Sequence, residues 1–106
     1  GPAVQAKGFG WGLGSWGGEA AGAITTTLNG ALGDNAFGTG GSGTSITLTS
    51  TTNFPSSGTN FIQVGTEEIS YTGVSGNNLT GITRAVRGTT RAAHSDGASR
   101  IRRFSS

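Results

Sequence analysis

The stretch "NFIQVGTEEISYTG" (Asn60 to Gly73) decides the fold. Ile62 and Val64 fall on one face of a first extended run. In the second run Ile69 and Tyr71 point inward, and Glu68, Ser70 and Thr72 point outward. A two-residue alternation of this kind marks a half-buried β-strand. Only Gly65-Thr66 separates the two runs, so they close on each other as a hairpin.

The same reading extends in both directions. "SITLTS" alternates again, with Ile46 and Leu48 on one side and threonines on the other. "NFPSSG" (Asn53 to Gly58) is a turn punctuated by Pro55 and Gly58. "GNN" (Gly76 to Asn78) turns the chain into "LTGITR", where Leu79 and Ile82 are out of phase by one residue. That slip predicts a β-bulge near Gly81. "ASRIRRF" supplies a closing strand, with Ile101 flanked by arginines. No window sustains a helical period. Residues 45–106 therefore read as an all-β domain, a small sandwich or partly open barrel of about five short antiparallel strands.

Two further zones precede it. Residues 23–44 read as one strand, with Ile24, Thr26 and Leu28 on a common face and a turn signal at Asn29-Gly30, followed by a flexible Gly/Ser linker. Residues 1–22 read as an extended arm in which glycine alternates with Phe9, Trp11, Leu13 and Trp16. Gly1-Pro2 has the form of a protease scar. Glycine at this density holds neither helix nor strand alone, and large aromatic side chains are costly to leave in water. A pliable backbone carrying Phe9, Trp11 and Trp16 suits docking on a neighbouring subunit, where Trp is a favoured anchor.

Composition narrows the function classes. The chain has 106 residues, of which 32% are hydrophobic, and 21 glycines that lose much backbone entropy on folding. Such a chain builds a thin core and gains from burial against copies of itself or other subunits. The absence of cysteine excludes disulfides and thiolate metal sites. No apolar run approaches a membrane span. Every arginine lies at or after Arg84, yet net charge is only +2. Arginines this sparse are better matched to local acidic partners than to nucleic acid.

Candidate chemistry is thin. Gly12-Leu13-Gly14-Ser15-Trp16-Gly17 has the spacing of a dinucleotide loop without the flanking strand and helix, and "GTGGSGTS" lacks the lysine of a phosphate loop. No cofactor is expected. His94, Ser95 and Asp96 are consecutive, whereas a catalytic triad converges from separate segments. A lone histidine also makes no metal cluster, so His94 reads as a residue that ties down a loop. Glu67 and Glu68 are neighbours and point to opposite faces of a strand, so they are not a paired-carboxylate site. Instead an ion pair or hydrogen-bonded network linking Glu68 to Arg84 or Arg87 is expected. Asn78-Leu79-Thr80 matches a glycosylation sequon but has no secretory signal to go with it. The expectation is that the chain is not an enzyme.

One family resemblance bears on function. Phe54-Pro55, Gly58, the hairpin with Glu68 and Tyr71, Leu79-Thr80-Gly81, Arg84, Gly88-Thr89, Ala93-His94-Ser95 and Gly97 together resemble a short module recurrent in virion proteins of tailed bacteriophages. "GWGLGSWGG" is similar to glycine-tryptophan segments of phage structural proteins, and "TTTLNGAL" to the strand that often precedes the module. A departure is Ala85-Val86-Arg87, where such modules more often place glycine after the arginine. The resemblance implies a structural, non-enzymatic component of the virion, tail-associated, with other virion proteins as partners and a homo-oligomeric state, a trimer as first expectation. It carries no catalytic residues. Capsid head decoration is the alternative. A further alternative is a host-surface carbohydrate-binding module with Trp11, Trp16 and Tyr71 as platforms for a glycan.

Overall fold

The Gly65-Thr66 hairpin forms. In a computed structural model that describes residues 24–98 and the backbone of 101–104, β3 (Asn60–Val64) and β4 (Glu67–Tyr71) pair antiparallel from Asn60↔Tyr71 to Val64↔Glu67. The remaining strands are β1 (Ile24–Thr26), β2 (Ser45–Thr47), β5 (Gly73–Ser75), β6 (Asn78–Thr80) and β7 (Ile101–Phe104). They make two small antiparallel sheets, β1-β7-β3-β4 and β2-β6-β5. The fold is all-β: one strand is described in residues 23–44, as expected, and six short strands in 45–106 where about five were expected. The extra strand arises because one long run breaks, with β4 and β5 separated at Thr72; Leu28, Leu32 and Leu48 pair only as isolated bridges outside the strands. The closing strand β7 lies between β1 and β3, joining both ends of the described chain.

The two sheets share one core. Leu28, Leu32, Ile46, Leu48, Phe54, Ile62, Val64, Ile69, Tyr71, Leu79 and Ile82 are all buried in a single cluster. Leu28 comes from the strand expected in residues 23–44, and Leu32 lies between its Asn29-Gly30 turn and the stretch expected to be a flexible linker. Leu32 exchanges two backbone hydrogen bonds with His94, both of 2.9 Å. Residues 24–44 therefore belong to the β unit and do not tether it.

Gly81 explains why Leu79 and Ile82 both reach the core. It sits at φ +64, and a Cβ there would collide with Thr72 Oγ1. The left-handed turn flips the side-chain phase by one residue. No residue is inserted, as a bulge would require: Gly73↔Thr80 and Ser70↔Thr83 leave two residues between them on each chain.

The outward face expected for Glu68, Ser70 and Thr72 is only partly outward. All five residues of β4 are buried, and only Thr72 beyond it is exposed. The reason lies in the following segment. Thr83 bridges Ser70, Val86 N donates to Glu68 O at 2.8 Å, and Glu68 N donates to Thr89 Oγ1 at 2.9 Å. Residues 83–89 thus run along the free edge of β4 and cover it. None of the described helices is long and apolar enough to cross a membrane.

Candidate functional site

The strand alternation that buries Ile69 and Tyr71 also turns Glu67 inward, and a carboxylate in a core needs a cation and hydrogen-bond donors. Arg84 supplies the charge. Its Nε donates to Glu67 Oε2 at 2.7 Å and its Nη2 to Oε1 at 3.0 Å, a bidentate pair. The two side chains are 2% and 0% exposed. Ala85 N adds a bond to Oε2, and Ala92 N and His94 Nε2 add bonds to Oε1 at 3.1 and 2.8 Å. An ionised carboxylate only accepts, so His94 Nε2 carries the proton and donates.

Arg84 reaches further than its carboxylate. Nη2 also donates to Ala92 O, and Nη1 faces the carbonyls of Gly33, Asn35 and Phe37 at 3.0, 3.0 and 3.2 Å. One guanidinium therefore fastens the 33–37 loop and the 92–94 segment to β4. Burial pushes the Glu67 pKa up, but the bonds from His94, Arg84 and Ala92 and the Arg84 charge outweigh it and hold the group at about 2. Glu67 is ionised wherever the protein is folded near neutral pH.

The adjacent carboxylate does a different job. Glu68 pairs with Arg87, Nε to Oε1 at 3.0 Å, and the Arg87 guanidinium lies 4.6 Å from the centre of the Phe61 ring. That is a cation–π contact on the opposite face of the hairpin. Burial pulls the Arg87 pKa down and the Glu68 charge opposes it. The network expected for Glu68 runs to Arg87, and Arg84 belongs to Glu67. The signal for Glu67 was present in the sequence: it shares the phase of Ile69 and Tyr71 and so faces inward.

The other predicted residues fall as follows. Tyr71 is fully buried; its hydroxyl donates to Pro55 O at 3.0 Å and its ring packs tilted against Phe54. A ring with no exposed face cannot stack on a sugar, so Tyr71 is not a glycan platform. His94 and Asp96 part company: His94 goes to Glu67, and Asp96 Oδ1 accepts from Gly30 N at 2.8 Å. They form no triad. Asn78 of the sequon sits in β6, where its Oδ1 accepts from Thr47 Oγ1 at 2.7 Å. Phe9, Trp11 and Trp16 lie outside the described residues. Among the described residues no three His, Cys, Asp or Glu side chains are grouped to hold a metal.

Two non-glycine residues of the departing segment, Ala85 and Arg87, are left-handed, at φ +54 and +60. Ala85 directly follows Arg84 and holds a conformation that glycine adopts without steric cost. The Ala85 N–H bond to Glu67 accompanies that geometry. Comparison of the chain with models of known protein families, with curated proteins and with solved structures finds no match.

Proposed function

We propose that this chain is a non-enzymatic structural component of a tailed-bacteriophage particle, associated with the tail. The β unit is its rigid body, and Phe9, Trp11 and Trp16 dock on other virion proteins or on copies of the chain. The observation that carries this reading is the use made of the polar residues. Arg84, Glu67 and His94 are the most chemically capable side chains described, and all are spent inward on holding loops to β4. Arg84 and His94 are also positions through which the chain resembles the phage module. A module whose polar residues brace its own loops suits a part that must keep its shape inside an assembly.

The test is location. Gold-labelled antibody against the protein, applied to particles of the phage that encodes it, is expected to decorate tails. Label confined to heads would favour capsid decoration, and particles free of both label and protein would overturn the reading. Removing residues 1–22 is expected to reduce incorporation while leaving the β unit folded. Normal incorporation of that truncation would remove the arm from the account.

A further inference from the structure

We propose that the surface around Phe37 is a two-fold contact between copies of this chain. This goes beyond the particle reading and holds in solution whether or not that reading does. Phe37 is the exposed large hydrophobic side chain of the described residues, at 49% exposure. It is not isolated: Ala36, Ala92 and Ala93 are exposed as well. The two segments lie side by side, since Phe37 O and Ala92 O both accept from the Arg84 guanidinium. Alanine is small, so these neighbours add apolar surface to the patch without the bulk that would screen a large exposed side chain.

The presentation is rigid. Phe37 O is held by buried Arg84, and Phe37 N donates to Asn35 Oδ1 at 2.8 Å. Gly38, next in the chain, is buried against Ser45 O so closely that no Cβ fits. An aromatic residue whose loop is already ordered loses little further entropy on binding.

Charge identifies the occupant. Asp34 and Arg91 form an exposed ion pair at 3.0 Å on these same two segments. A patch carrying an apolar centre and one charge of each sign is self-complementary: a second copy rotated by a two-fold sets its Arg91 against Asp34 and its Asp34 against Arg91. The apolar centre then packs ring against ring, with the charges at the rim.

Sedimentation velocity of the full chain over a concentration series tests this. Association to a dimer is expected, and Phe37→Ser is expected to weaken it at least about tenfold. Asp34→Arg and Arg91→Asp should each weaken self-association, because each leaves two like charges facing their copies. Mixing these two variants should restore association, since every Arg then meets an Asp. Circular dichroism melts at wild-type temperature would show that the exposed changes leave the fold intact. A single-chain mass at every concentration, association unmoved by Phe37→Ser, or a mixture that associates no better than either variant alone would overturn the proposal.

Discussion

Glu67 and Glu68 are consecutive in one strand, carry the same functional group and do opposite work. Glu67 is fully buried and accepts from Arg84, Ala85, Ala92 and His94. Glu68 faces the other side of the hairpin and meets an arginine that is 28% exposed. The Glu67 face holds distant segments together, whereas the Glu68 face covers a strand edge. A buried pair gains from low dielectric only when all its hydrogen-bonding groups are matched, and removing one partner leaves the other charge stranded. The Glu68–Arg87 pair has a buried carboxylate, but its guanidinium reaches water, which screens the charge.

The largest test of that difference is Arg84→Ala. It strands Glu67 and frees the 33–37 and 92–94 segments, with an expected loss of about 3–5 kcal/mol in urea unfolding at pH 7. A loss below about 1 kcal/mol would place the two faces on a par. Acid comes next. The folded pKa of Glu67 lies below its unfolded value of 4.5, so its contribution is present above pH 4.5 and lost as pH falls through about 2. The linkage amounts to roughly 3 kcal/mol across that window. The same titration in Glu67→Gln should show a visibly shallower slope.

Smaller effects belong to the other face. Arg87→Ala removes the Glu68 pair and the contact with Phe61, with an expected cost of about 1 kcal/mol. Glu68→Ala should cost a similar amount; an unchanged melting temperature would remove Glu68 from the account. The smallest expected effect is a gain. Ala85→Gly relieves a left-handed alanine but frees the unfolded chain, for a net stabilisation of about 0.5 kcal/mol. Val86→Gly, whose φ is not positive, should instead destabilise, and a loss at both positions would contradict the strained geometry of Ala85.

Much of this was legible because it is local. The period-two alternation of Ile62, Val64, Ile69 and Tyr71 and the two-residue break at Gly65-Thr66 specify the hairpin directly. The core role of Leu32 was hidden, because its strand-like pairing is a single bridge to His94, 62 residues further along the chain. The covered edge of β4 was hidden for the same reason: alternation reports which side a residue faces, not which later segment bonds along the strand's free edge. Glu67 was passed over because an acid is ordinarily placed outside, although its phase with Ile69 already put it inside. The 33–37 loop looked like a linker by composition, and what orders it is a guanidinium from position 84.

The most direct measurement is a pair of double-mutant cycles, Glu67→Gln with Arg84→Met and Glu68→Gln with Arg87→Met, read by urea unfolding at pH 7. The account predicts a coupling energy of about 2–3 kcal/mol for Glu67 with Arg84 and well under about 1 kcal/mol for Glu68 with Arg87. Equal couplings, or a larger one for Glu68 with Arg87, would contradict the claim that the inward carboxylate is the one that holds the fold together.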